Sequence, residues 1–339
     1  MRQGSIAAII AVSALVHAVG ASPAAQAAEA VTVDNFRQAE TDFYFSKYVA
    51  RGCFGKLCSD RGPVPIDKQD VIRMNRDTPY TAGIFDLTTP LTIVKPDIGG
   101  RFQSMLVINE EQYNPLVAYE PGTYTLTQES AGTRYVAVLF RTFMDPNDPR
   151  DVEAAHAAQD AIKVSQADPG KFEAPDWNQE QRATLSRTLA SLMPFTGDSR
   201  GMFGTKEKVD PVRHLIGTAA GWGGNPSEDA KYVMGAVPLN DGQTPYVLTV
   251  KDVPVDGFWS VTVYNDKGFY EAPESAISVN NVTGKRSKDG SMTIRFGGDP
   301  QADNYLRIMP GWNYIVRLYR PRAEILDGSW SFPALQPVR

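Results

Sequence analysis

Apolar positions change their spacing along the chain, and each spacing predicts a different kind of element. Phe36, Ala39, Phe43 and the run that follows keep the helical period, which predicts a helix over residues 31–50 with Asp34 near its start as the cap. A polar stretch follows, through Pro63 and Pro65. From Tyr80 onward, PLTIVKP, RFQSMLVIN and TRYVAVLFRTF are short β-branched and aromatic runs separated by Pro, Gly, Asp and Asn. They predict strands. Residues 136–140 are apolar on both faces, as an interior strand requires.

The helical period returns at Asp148-Pro149, with Asp as cap and Pro in the first turn, and Val152, Ala155, Gln159 and Ile162 on one stripe. Further helices are predicted over 178–193 and over 211–220, the latter after another Asp-Pro pair at Asp210. From Tyr246 the alternation is that of strands: YVLTV, FWSVTVY, SMTIRF and NYIVRLY. Trp259, Val261 and Val263 share one face, opposite Ser260, Thr262 and Tyr264. Tyr314, Val316 and Leu318 likewise stand opposite Ile315, Arg317 and Tyr319.

The pattern therefore predicts an α+β, mainly β protein: two antiparallel jelly-roll or sandwich-like blocks, an N-terminal helix and a helical segment between the blocks. The expected divisions are 28–147, 148–233 and 234–339. No flexible linker separates them, so they are expected to pack as one body.

The first 27 residues read differently. Arg2 is followed by an apolar run over residues 6–19 and then by Ala25-Gln26-Ala27, the small-x-small pattern of a cleaved export signal. The run is shorter than the roughly 20 residues that span a bilayer. No later stretch is long and apolar enough to span one. The expectation is a periplasmic or secreted protein. In that setting Cys53 and Cys58, the two cysteines of the chain, are expected to close a small disulfide loop around Gly55.

Composition narrows the chemistry. With 34 Lys and Arg against 39 Asp and Glu, the formal charge is −5, which argues against nucleic-acid partners and anionic membrane surfaces. Once the signal with His17 is removed, His156 and His214 remain, so a three-histidine zinc site is impossible. The expectation is no catalytic metal and no cofactor, with oxygen ligands for calcium or magnesium at most. No G-x-S-x-G elbow occurs. The glycine-rich GWGGN matches no phosphate-binding loop and reads as a turn with a close backbone approach.

The densest polar cluster is Asn75-Arg76-Asp77-Thr78-Pro79-Tyr80, just before the first long strand. It is either a capped turn or a loop that aims hydrogen bonds at a polar ligand. In the second reading Arg76 grips an anion, Asp77 orients Arg76, and Asp77 or Tyr80 handles a proton.

At these residues the chain resembles a known pair of domains. MNRDTPYTAGIFDL, RFQSMLVIN and FRTFMDPNDPRDVEAAHAAQD resemble the N-terminal partner, a domain of unknown function numbered twelve fifty-four. GFWSVTVYNDKGFY, SVNNVTG, KDGSMTIRFGG and NYIVRLYRP with ILDGSW resemble its C-terminal partner, numbered twelve fourteen. The resemblance covers residues 33–333, with a middle shorter than in many tandem members. It implies two β-rich, jelly-roll-like or sandwich domains with helices around them, and it brings no biochemical function. Matching polar positions, which the resemblance implies as site candidates, include Asp86, Gln103 and Arg141 besides the cluster above, and Tyr264, Arg317 and Tyr319 in the second half; Trp259 and Trp330 match as core.

Taken together, the sequence predicts a metal-independent hydrolase or lyase acting on a small polar or carbohydrate-like substrate. Asp77 and Tyr80 are its acid/base candidates. Asn75, Arg76, Thr78, Tyr264, Arg317 and Tyr319 are its binding candidates. The alternative is a non-catalytic module that binds saccharide or envelope material.

Overall fold

The computed structural model describes residues 27–69, 72–235 and 237–338. The expected export signal lies outside the described residues, apart from Ala27.

In the N-terminal half, alternation produces two sheets that close on each other. One has the order β1 (Cys58–Ser59), β2 (Tyr80–Asp86), β7 (Tyr135–Thr142), β4 (Gln103–Asn109), β5 (Leu116–Ala118). The other has the order β6 (Gly122–Leu126), β3 (Leu91–Lys95), β8 (Lys163–Gln166). Phe85, Met105, Val107, Val138 and Phe140 of the first sheet meet Leu91, Ile93 and Leu126 of the second. The opposite side of the first sheet carries Ala82, Ile84, Leu106, Ile108, Ala137 and Leu139. Phe45 of helix α1 (Phe36–Ala50) covers them. Strand β7 is therefore buried on both faces, as its continuous apolar run requires.

The C-terminal half repeats the scheme. A sheet β12 (Ser278–Asn280), β11 (Trp259–Tyr264), β15 (Asn313–Tyr319), β9 (Ala230–Gly235) packs on a sheet β14 (Tyr305–Leu306), β13 (Met292–Phe296), β10 (Tyr246–Val250), β16 (Gln336–Pro337). Trp259, Val261, Val263, Tyr314, Val316 and Leu318 meet Leu248, Ile294 and Phe296 there, with Trp312 fully buried among them. Pairing is antiparallel except between β13 and β14. Each half is a sandwich and neither is a closed barrel.

Three helices of the middle segment begin where local chemistry places them. Asp148 caps α3 (Pro149–Asp160), Asn178 caps α4 (Gln179–Ala190) and Asp210 caps α5 (Pro211–Gly221), each accepting a backbone N–H of the first turn. Helices α2 (Gln128–Ala131) and α6 (Ala323–Leu326) are single turns. The stretch 148–233 is not helical throughout, because β8 joins the first sandwich and β9 the second. Helix α1 starts later than the sequence predicts. Asn35, not Asp34, stands at its N-cap, and its Oδ1 accepts from Thr32 N instead of capping the helix.

Cys53 and Cys58 form a disulfide, with Cα atoms 5.6 Å apart. Cys53 N donates to Tyr48 O, and Cys53 O accepts from Ile84 N. The loop thus ties the end of α1 to β2. Closing so short a loop restrains the unfolded chain by about 2 kcal/mol. A Cys53→Ser, Cys58→Ser double variant is expected to lose about that much stability in urea. An unchanged unfolding midpoint contradicts it.

Candidate functional site

The two sandwiches meet along a polar seam. Register builds its two walls. On the C-terminal side, Asn280, Ser260, Arg317 and Tyr232 stand abreast across four strands, on the face opposite the core. On the N-terminal side, Tyr80, Arg141 and Ser104 stand abreast across three strands. The polar-aromatic face of β11, exposed on an isolated strand, is covered here by the first sandwich.

The first sandwich supplies the matching polar groups. Tyr264 Oη donates to Met74 O at 2.8 Å. Arg317 Nη2 donates to Arg73 O at 2.6 Å, Met74 O at 3.2 Å and Tyr264 Oη at 2.7 Å, and Nη1 to Thr262 Oγ1 at 3.3 Å. Asp77 Oδ1 accepts from Asn280 Nδ2 at 3.1 Å and Ser278 Oγ at 3.4 Å. Across the seam, Arg141 Nη1 donates to Asn225 Oδ1 at 3.1 Å and Nη2 to Gly223 O at 2.7 Å, with its guanidinium 5.6 Å from the Tyr80 ring centroid. The GWGGN turn is what receives Arg141. Gly223 has φ +79°, and a Cβ on Gly224 would strike the Phe203 ring.

Two features make this seam unlike an ordinary domain contact. Arg141 and Arg317 are 5% and 3% exposed, yet every hydrogen-bond acceptor of either guanidinium is a carbonyl, amide or hydroxyl oxygen. Among the described residues no carboxylate forms a salt bridge with either. Buried polar atoms without partners also collect here: Asp77 Oδ2, Ser260 Oγ, Arg73 Nε and Tyr270 Oη. Such atoms are rare in folded proteins. Tyr319, stacked on Phe258 at 4.3 Å, lies within the field of both guanidiniums. Burial pushes its phenol well above the usual range, so it stays protonated and is a donor.

Two family models match, each described as a protein of unknown function: DUF1254 over residues 56–166 and DUF1214 over 235–323. The chain belongs to the proteins that carry these two domains in tandem. The seam is the contact between the DUF1254 and DUF1214 halves. Among solved structures, the VPA0106 protein of Vibrio parahaemolyticus is similar over 91% of this chain and 100% of its own, at 18% identity and a TM-score of 0.67. An uncharacterised protein of Burkholderia cenocepacia is similar over 91% of this chain and 87% of its own, at 14% identity and a TM-score of 0.50. At these identities the likeness is one of fold. No curated protein matches the chain.

Within the DUF1254–DUF1214 tandem, the residues singled out from sequence separate into three groups. Asp77, Tyr80, Tyr264, Arg317 and Tyr319 come together at the seam. Asn75 and Thr78 buttress it: Asn75 Oδ1 accepts from Asp77 N, and its Nδ2 donates to Thr78 Oγ1 at 2.7 Å. Arg76 stands at the rim, donating to Val64 O at 3.0 Å and Glu274 Oε2 at 2.8 Å beside the Tyr270 ring. The expected Asp77–Arg76 pairing is corrected by this geometry. The turn sends the two adjacent side chains to different partners, Asp77 to Asn280 and Arg76 to Glu274.

The resemblance marked Arg141 as a polar site candidate, but no role was assigned to it from the sequence. Its signal was an arginine at the end of the apolar run YVAVLFRTF, where a lone charge needs a reason. Ser260 was legible only as part of the polar face of its strand, and Asn280, Tyr232 and Asn225 carried no signal of their own. His156 and His214 are engaged elsewhere. His214 Nδ1 and Nε2 face Met202 O and Glu111 O, its ring stacks on Tyr113 at 4.5 Å, and burial lowers its pKa. His156 Nε2 contacts Arg61 O. Among the described residues no group of three or more His, Cys, Asp or Glu assembles as metal ligands do. A cavity of about 200 Å³ beside Trp259 and an open groove of about 630 Å³ beside Val31 and Leu185 share none of the seam's charged residues.

Proposed function

We propose that this protein works outside the cytoplasm and binds a small organic acid in the seam between its two sandwiches. The observation that carries the reading is the pair of buried guanidiniums, Arg141 and Arg317, on facing walls, neither of them hydrogen-bonded to a carboxylate among the described residues. Burying a charge costs several kcal/mol unless it is compensated. A carboxylate offers that compensation, since its two oxygens match the guanidinium fork. Tyr80, Tyr232 and Tyr319 add hydroxyls that suit a hydroxylated or sugar-like acid. Because the guanidiniums are nearly sealed, the acid enters when the sandwiches part at the seam. The Cys53–Cys58 disulfide supports an oxidising location.

A second reading, metal-independent lyase or hydrolase chemistry, is favoured by Asp77. Asn280 and Ser278 hold one carboxylate oxygen, and the other is buried without a partner. That is the arrangement of a positioned proton acceptor.

Calorimetric titration with a panel of small carboxylates tests the binding reading. At least one is expected to bind, more weakly as salt rises, and Arg317→Gln is expected to weaken it about 30-fold or more. If no carboxylate binds at any salt, the reading fails. Asp77→Asn is expected to abolish turnover of a bound acid while leaving it bound; equal turnover removes Asp77 as the proton acceptor.

A further inference from the structure

We propose that the acid held in the seam is a dicarboxylate, with one carboxylate at Arg141 and the other at Arg317. This rests on the acid-binding reading above and adds the number and placement of the charges.

The seam contains two separate cationic centres. The first is Arg141, set between Tyr80 and Ser104 and held by Gly223 and Asn225. Among the described residues its hydrogen-bond acceptors are neutral, and the strongest fields on it come from the phenols of Tyr80, Tyr232 and Tyr319. Phenols are neutral at neutral pH, so this centre keeps one net positive charge. The second is Arg317. Arg73 lies close enough for the two guanidiniums to repel, and the charge of Asp77 also reaches Arg317. Among the described residues, the two guanidiniums of Arg73 and Arg317 stand against the single carboxylate of Asp77, so positive charge is in excess at this centre. Tyr319 is within the field of both centres.

This distribution selects among anions. A monocarboxylate balances one centre and leaves the other guanidinium buried and unpaired. A phosphate places both its charges at one centre, which overcompensates it and again neglects the other. An acid with a carboxylate at each end balances both. The unpartnered donors agree. Arg73 Nε and Ser260 Oγ are buried without acceptors, and Ser260 is the cross-strand neighbour of Arg317. A carboxylate at the second centre supplies the acceptors these donors lack.

The test is calorimetric titration of the full chain with malonate, succinate, glutarate and adipate. Each is compared with the monoacid of equal carbon number, and inorganic phosphate forms a third arm. One diacid is expected to bind at least roughly tenfold more tightly than its monoacid, because a methyl end gains nothing at the second guanidinium. Arg141→Gln is expected to bring the two within about twofold of each other. Arg73→Gln, at a half-buried position less critical to folding, is expected to reduce diacid affinity more than monoacid affinity. Monoacids that bind as tightly as every diacid overturn the proposal and leave acid binding intact. Phosphate as the tightest ligand overturns it in favour of a single-group dianion. Binding of none overturns both readings. Should Arg141→Gln not fold, the wild-type comparison and Arg73→Gln decide between these outcomes.

Discussion

Replacing Asp42 by Asn is expected to raise stability at pH 8 by about 2–3 kcal/mol and to change it little at pH 4. Asp42 lies on α1 and is 1% exposed. Its Oδ2 accepts from Trp177 Nε1 at 2.8 Å, and its Oδ1 is buried without a partner. Burial pushes its pKa up to about 7, and the negative charges of Glu110 and Glu111 push in the same direction. The unfolded chain ionises this group near pH 4. Between pH 4 and 7 the unfolded state therefore gives up a proton that the folded state keeps, and stability falls as pH rises through that window. Above pH 7 the folded protein carries a poorly solvated carboxylate. The full shift corresponds to about 4 kcal/mol, and local relaxation and water penetration reduce it. Asn keeps the acceptor for Trp177 and has no charge to desolvate. Urea unfolding of both proteins at pH 4, 6 and 8 isolates the contribution of this residue. A gap between them that does not change with pH rules the account out.

What could be read from the sequence was local in origin. Asp148, Asn178 and Asp210 announced their helices because a cap and the N–H groups it satisfies are neighbours in the chain. The two faces of β11 and β15 were legible because alternation assigns each side chain to a side. The start of α1 was not, because residues 27–35 are held by distant partners: Glu29 pairs with Trp177, and Val31 N donates to Gln181 Oε1. The same limit hid the site. Ser260, Thr262 and Tyr264 could be seen to share a polar face, but what covers it is 190 residues away, where Met74 O accepts from Tyr264. Adjacency also misled. Arg76 beside Asp77 suggests an ion pair, whereas Asp77 is bonded to Asn280, 203 positions on. The sequence could therefore name residues of both walls, Tyr80 and Arg141 on one and Arg317 on the other, without showing that the walls face each other.

Arg141 is where stability and function are expected to separate most clearly. Replacing it by Met, which fills similar space without charge, is expected to leave the ligand-free protein as stable as before or more stable by about 1–2 kcal/mol, and to weaken acid binding about 100-fold. Two costs compete. Losing the guanidinium leaves Gly223 O and Asn225 Oδ1 without their donors, which costs about 1–3 kcal/mol. Keeping it costs several kcal/mol of desolvation, because among the described residues no carboxylate is bonded to it. If the larger cost is the buried charge, the arginine is retained for what it binds. A structural role predicts the opposite sign. An arginine that cements the two sandwiches through Gly223 and Asn225 should lose 3–5 kcal/mol on removal, as buried charge networks do when broken. Thermal and urea unfolding of Arg141→Met without ligand separate the two cases, and titration with the best-bound acid checks the loss of affinity. A variant that is strongly destabilised, yet binds acid normally when folded, would establish Arg141 as cement and move the anion site away from the first wall of the seam.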